Sequence, residues 1–220
     1  FTDFYAGASL CTPSRAALLT GTYPVRNSMA VNYRGECVCF PVDEMGLHPD
    51  EVTMAEVLKQ KDYKTALIGK WHLGDQAEFL PTRQGFDYYY GVPYSNDTGE
   101  GRFKWRGSNQ SYDQPPIPLM RNESVIEQPV NQPTLTQRYT REATGFIKEN
   151  RDHPFFLYYA HTMPHYPISA SEDFVGTSKN GLYGDVIEEI DWSVGELSSL
   201  LEELNLLENT LIIFISDNGA

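Results

Sequence analysis

No run of roughly eighteen apolar residues occurs anywhere in the chain, so no segment reads as a helix that crosses a bilayer. No charged start followed by an apolar stretch reads as a signal peptide; the first residue is Phe1, and Phe-Thr-Asp-Phe-Tyr alternates like the middle of a strand. Basic residues are scarce, with 17 Lys and Arg against 30 Asp and Glu, a formal charge of -13. Nucleic-acid affinity rests mainly on phosphate neutralisation, so this composition argues against a nucleic-acid partner, and an anionic substrate must meet a local basic pocket. Cysteine is scarce too: there are three, an odd number that leaves at least one thiol without an internal partner. Cys37 and Cys39 are too close in sequence for an easy mutual bridge. No internal repeat or low-complexity tract stands out.

What is present suits one globular domain or a large piece of one: 220 residues, 40% of them hydrophobic, can bury a substantial core. Pro13 and Ser14 followed by Ala16 to Leu19 and then Gly21 predict a short helix directly after Cys11. Thr53 and Glu56 form a capping box that opens a second helix, followed by an apolar strand at Thr65 to Ile68. The same helix-then-strand unit recurs with Tyr139, Ala143, Phe146 and Ile147 before Pro154 to Ala160. It recurs again with Val186 to Leu204 before Leu211 to Ile215. Strands this apolar are expected to be buried on both faces, and their alternation with amphipathic helices indicates an α/β fold with a mostly parallel sheet. Residues 75–132, rich in Tyr, Pro, Asn and Gly, do not fit the repeat and read as a long functional insertion. Three Asn-x-Ser/Thr sequons, at Asn96, Asn109 and Asn122, fall in this stretch and read as surface acceptors of glycan if the source is eukaryotic.

In open parallel sheets the ligand site lies beyond the carboxyl ends of the strands. Three strand ends deliver polar residues there. Lys70 and His72 follow Ile68, His161 and His165 follow Ala160, and Asp217 and Asn218 follow Ile215. A carboxylate beside a carboxamide offers hard oxygen ligands, suited to Ca²⁺ or Mg²⁺ rather than zinc, although two ligands are too few for either. Read singly, Asp-Asn-Gly is a plain turn and His161 is structural.

The stretch Cys11-Thr-Pro-Ser-Arg15-Ala-Ala-Leu-Leu-Thr-Gly21 matches C-x-P-S-R-x-x-x-L-T-G at every fixed position, and Gly-Lys-Trp-His-Leu-Gly at 69–74 matches a second signature. On these motifs the chain resembles the sulfatase family, the arylsulfatase A group most and the N-acetylgalactosamine-6-sulfatase group next. The resemblance continues through Pro-Tyr-Ser95, the His-Tyr-Pro at His165, and Ser-Asp-Asn-Gly. It implies an alkaline-phosphatase-like α/β sandwich and hydrolysis of a sulfate ester, whether of a small molecule, a glycan or a glycolipid. By resemblance, Cys11 is oxidised to formylglycine by a formylglycine-generating enzyme, and the aldehyde hydrate is the nucleophile. Arg15 then orients the hydrate, Lys70 binds the sulfate oxygens, His72 takes the hydrate proton, and His165 protonates the leaving group. Ser95 supports the nucleophile, and Cys11, Asp217 and Asn218 ligate Ca²⁺, with Mg²⁺ as the alternative.

The family's paired aspartates and second active-site lysine are not in these 220 residues. The expectation is therefore a catalytic-domain fragment over 1–220 that lacks the N-terminal metal-binding strand and the C-terminal portion, and is inactive alone. The resemblance also implies an extracytoplasmic protein, lysosomal or secreted in a eukaryote and periplasmic in a bacterium, and it is compatible with a homo-oligomer. Two readings stay open beside it: a non-catalytic protein that binds sulfated ligands, and a phosphatase or phosphodiesterase of the same superfamily.

Overall fold

The computed structural model describes residues 3–32, 35–98, 101–104 and 111–219. The centre of the fold is β1, Lys64–Lys70, whose residues from Thr65 onward are all buried. It pairs in parallel with β2, Tyr88–Val92, on one side and with β7, Phe155–Ala160, on the other. Alternate β1 side chains enter opposite cores, as a strand period of two requires. Leu67 joins Leu19, Ala55, Trp71, Phe86 and Tyr89 on one face. Ala66 and Ile68 join Tyr90, Val92, Leu135, Tyr139 and Ala143 on the other. Each fully buried Leu or Ile of this kind contributes about 1.5–3 kcal/mol.

Helices cover both faces. On the first lie α1, Cys11–Thr20, and α2, Met54–Lys59. On the second lies α3, Leu135–Glu149, backed by α4, Gly181–Glu203. The predicted punctuation is observed: Gly21 closes α1 in the left-handed region at φ 65°, its N–H donating to Ala17 O, and Thr53 and Glu56 form the reciprocal capping box of α2. The helix begins at Cys11 itself rather than at Pro13. All three cysteines are free thiols.

Three expectations need correction. Residues 75–132 are not simply an insertion, because they supply β2, a central strand, and then the antiparallel pair β5, Leu119–Arg121, and β6, Ser124–Glu127, at the sheet edge. They also hold the separate hairpin of β3, Gly101–Lys104, and β4, Ser111–Gln114. Tyr88, Tyr89 and Tyr90 of this stretch are strand residues that pack on the two cores.

Residues 211–215 form no strand. Leu211 is 85% exposed and Phe214 74%. Apolarity and length mark a candidate strand, but pairing needs a neighbouring edge in register, and among the described residues β7 pairs only with β1. For the same reason β7 is only half-buried along most of its length. The sequon at Asn96 is not on the surface, since that side chain is 2% exposed, whereas Asn122 is exposed at the β5–β6 turn. Asn109 lies outside the described residues.

Near the end of β1, still paired with both β2 and β7, Gly69 adopts φ 121°, and a Cβ there would collide with the carbonyl of Ala160 on β7. Both the dihedral and the close approach require glycine. Gly69→Ala is expected to lower unfolding free energy in urea by about 3 kcal/mol or more. A variant within about 0.5 kcal/mol of wild type would show that the bend tolerates a side chain.

Candidate active site

Cys11 is the first residue of α1, 8% exposed, and that end of the helix has no side-chain cap. Its free N–H groups and the positive end of the helix dipole therefore face the same space as its side chain. One helical turn on, Arg15 is buried. Its Nη1 donates to the carbonyl of Lys70 at 2.7 Å and its Nη2 pairs with Asp217 Oδ2 at 2.8 Å. Lys70 is buried at the end of β1, with Nζ 3.6 Å from Cys11 Sγ and 3.1 Å from Ser95 Oγ. His165 completes the ring, its imidazole placed to interact with the Cys11 thiol. Ser14 Oγ donates to the Asp217 carbonyl, tying α1 to that segment a second time. The structure thus brings together Cys11, Arg15, Lys70, Ser95, His165 and Asp217 from five separate stretches of chain.

His72 is placed by backbone. It sits at φ 64°, and its N–H extends the β1–β2 ladder by donating to Pro93 O at 3.0 Å. Its Nε2 lies 2.9 Å from the Cys39 carbonyl. A carbonyl only accepts, so Nε2 carries the proton, and in the neutral ring Nδ1 is a bare lone pair. That Nδ1 is buried with no hydrogen-bond partner. Thr12 secures the arrangement, its hydroxyl donating to His72 O at 2.9 Å while accepting from Cys39 N at 3.1 Å.

Electrostatics follow from this packing. Burial alone would push the Cys11 thiol up, but the His165 hydrogen bond and the charges of Lys70 and Arg15 outweigh it and bring the thiol below its ordinary value. Burial, aided by Arg15, brings Lys70 down to about 8, so it remains mostly protonated at neutral pH. Burial, with Lys70 and Arg15 adding to it, holds His72 well below its ordinary value and therefore neutral. His165 moves the other way, because its hydrogen bond to Cys11 favours the protonated ring over the opposing effect of burial. A basic pocket thus exists inside a chain of charge -13.

Asn218 bonds only locally, Nδ2 donating to Gly219 O at 2.8 Å, while its Oδ1 is buried without a hydrogen-bond partner. Among the described residues no group of three His, Cys, Asp or Glu is placed to hold a metal ion. The Asp217 carboxylate and the orphaned Asn218 oxygen nevertheless fit part of an oxygen set for a hard cation. His161 stands apart, its ring 4.4 Å from that of Tyr159, and burial pulls it down to about 4. Residues that sequence reading missed include Thr12, which occupies a variable position of the signature, and Asn96, hidden inside a sequon.

Thr12→Val removes a hydroxyl that serves two buried backbone groups. It is expected to cost about 2 kcal/mol in urea unfolding, whereas Thr12→Ser should stay close to wild type; equal losses would reject the bridge. The unfolded imidazole of His161 takes up a proton near pH 6.5, whereas the folded one resists until about 4. Stability should therefore fall as pH drops through that window, and His161→Phe should flatten the slope in urea midpoints measured at several pH values. An unchanged slope would mean that another group carries it.

A sequence profile described as Sulfatase matches residues 1–220. The chain is similar to arylsulfatase A of Homo sapiens, 45% identical over 232 residues that cover 100% of this chain and 44% of that protein. It is similar to N-acetylgalactosamine-6-sulfatase of Homo sapiens, 40% identical over 232 residues, covering 100% and 43%. The solved structure of Ps i-CgsB in complex with k-i-k-neocarrahexaose superposes with a TM-score of 0.79 at 30% identity, covering 98% of this chain and 49% of that one. The chain spans less than half the length of the curated relatives it matches.

Proposed function

The chain belongs to the sulfatase family, and from that premise we propose that the protein hydrolyses sulfate esters through an aldehyde made from Cys11. The observation that carries the reading is the position of Cys11 Sγ, at an uncapped helix start and 3.6 Å from the buried Lys70 ammonium. Sulfur there stands in for the oxygens of a formylglycine hydrate, which supplies a hydroxyl nucleophile for the sulfate ester and can expel sulfate by re-forming its carbonyl.

Each side chain then has work suited to its state. Lys70, with the first-turn N–H groups of α1, holds the sulfate oxygens and offsets charge in the transition state. Arg15, locked between the Lys70 carbonyl and Asp217, orients residue 11. Neutral His72 offers the Nδ1 lone pair to the hydroxyl proton at position 11, while His165, biased toward its protonated form, donates to the departing alcohol or phenol. Ser95, bonded to Lys70 Nζ, steadies the ammonium beside the nucleophile.

Asp217 and Asn218, with the oxygens at position 11, would hold Ca²⁺, or Mg²⁺ in its place, which when bound supplies Lewis-acid polarisation of the sulfate. The remaining ligands and a further lysine are proposed to lie outside residues 1–220, which makes this stretch a partial catalytic domain. Substrates are proposed among sulfated small molecules, glycans and glycolipids. The protein is proposed to lie outside the cytoplasm, with Asn122 as the accessible glycan acceptor among the described residues where the host glycosylates. No helix of the described residues is long and apolar enough to cross a membrane.

Residues Cys11 to Arg15 are all buried in the folded chain, so a formylglycine-generating enzyme that reads this segment must act before α1 packs. The test is mass spectrometry of the peptide ending at Arg15. An aldehyde is expected when the protein is made with the maturation enzyme present, and an unchanged thiol when folded, unconverted protein is treated with that enzyme afterwards. An alkylatable thiol throughout, in a host that converts a control sulfatase, would sink the catalytic reading. Conversion of the folded protein would overturn the order of events.

A further inference from the structure

The two loops that carry Ser95 and His165 leave the ends of β2 and β7, on opposite sides of β1, and the sheet ladder does not reach either of them. Asn96 joins them. Its Nδ2 lies 3.3 Å from the carbonyl of His165, 3.1 Å from that of Pro167 and 3.2 Å from Gln132 Oε1. Gln132 Nε2 reaches back to the Asn96 carbonyl at 3.2 Å, anchoring the clamp next to the start of α3. Two amide hydrogens are thus shared among three acceptors, and the Asn96 Oδ1 is buried with no partner. Only the donor end of this amide is in use.

The grip matters because of what lies between the two carbonyls. The His165 ring is held by its own Nδ1, which donates to the Tyr166 carbonyl at 2.7 Å, leaving Nε2 for residue 11 and the leaving group. Asn96 fixes the carbonyls on either side of that acceptor. We propose that Asn96 is a positioning residue that aims the His165 imidazole at the departing oxygen, so that the sequon at this position serves proton transfer rather than glycan attachment. The inference rests on the sulfatase reading and on the proton-donating role given there to His165.

The clamp makes a demand that a merely structural residue does not. Proton donation matters most when the leaving group is a poor one, so loss of aim should penalise alkyl and unsubstituted phenyl sulfates far more than nitrophenyl sulfates. Asn96→Asp keeps the shape but turns oxygen lone pairs toward two carbonyls. In the full-length, converted enzyme it is expected to lower kcat/KM about 100-fold on phenyl sulfate and less than about 5-fold on 4-nitrophenyl sulfate. Gln132→Leu, at a half-buried position, should give an intermediate effect of the same kind. The ratio of the two rates does not depend on the fraction of active enzyme, so partial misfolding cannot produce it, and Gln132→Leu carries the test if Asn96→Asp fails to fold.

His165→Gln run in parallel separates the outcomes. If wild type cleaves neither these aryl sulfates nor a sulfated glycan or glycolipid, the sulfatase reading fails. If His165→Gln shows the leaving-group penalty and the Asn96 and Gln132 variants do not, the clamp is overturned while that reading stands. If His165→Gln loses rate evenly on both esters, His165 is not the donor and the inference falls with it. A glycan found on Asn96 in the folded enzyme would also overturn it.

Discussion

The buried guanidinium of Arg15 is the constraint on which the rest of the site depends. Its hydrogen bond to the Lys70 carbonyl and its ion pair with Asp217 hold three pieces of chain in register: the start of α1, the end of β1 and the Ser216–Gly219 turn. Removing a guanidinium from water costs several kcal/mol, and breaking such a pair by deleting one partner leaves an uncompensated charge. The arrangement is therefore close to all or none. With Arg15 paired, Cys11 and Lys70 face each other across a fixed gap. Without that pairing, the carboxylate proposed as a metal ligand and the nucleophile lose their common reference.

Packing so much positive charge together has an electrostatic consequence. Lys70 and Arg15 each disfavour protonation of their neighbours, and burial adds to this, which is why His72 stays neutral while the lysine beside it stays mostly charged. Two histidines within one pocket are pushed to opposite protonation preferences by their surroundings, one by burial among cations and one by a hydrogen bond to Cys11. Divergent environments of this kind are how a single site supplies both a base and an acid. The bulk charge of the chain is no obstacle, because exposed carboxylates more than about 8 Å away are largely screened.

Much of this was legible in the sequence where local rules decide the outcome. The Gly after α1 and the Thr53–Glu56 box act over a few residues, and both helices formed, α1 starting at Cys11 ahead of its Pro13. The neighbourhood of Lys70 and His72 was legible because the apolar run before them is continuous, although Lys70 is the last residue of that strand rather than the loop beyond it. The failures share a cause, which is that pairing is not local. Tyr88 to Val92 became a central strand because β1 offered it an edge, despite a Gly and neighbouring turn residues that argued for a loop. Leu211 to Ile215 had the better strand composition and found no partner among the described residues. Thr12 was invisible for a different reason: its two hydrogen bonds reach residues 27 and 60 positions away.

Asn96 shows how a motif can mislead when it is read only as an address. Asn-Asp-Thr satisfies the pattern for glycan attachment, yet the same amide, once buried, is the donor that bonds two carbonyls of a loop which ends β7 more than sixty residues later. A surface sequon needs a solvent-facing Nδ2, and a clamp needs an enclosed one, so the two uses exclude each other at one position. Which use prevails is decided by burial, and Asn96 is buried. Ser95 Oγ accepts from Lys70 Nζ, and the Asn96 amide beside it lies in the interior, where it is stable only if its hydrogens find acceptors. The carbonyls of His165 and Pro167 are the acceptors that the fold brings within reach. The residue after the lysine's partner and the backbone around His165 are therefore coupled by the same requirement, that no buried donor be left unpaired.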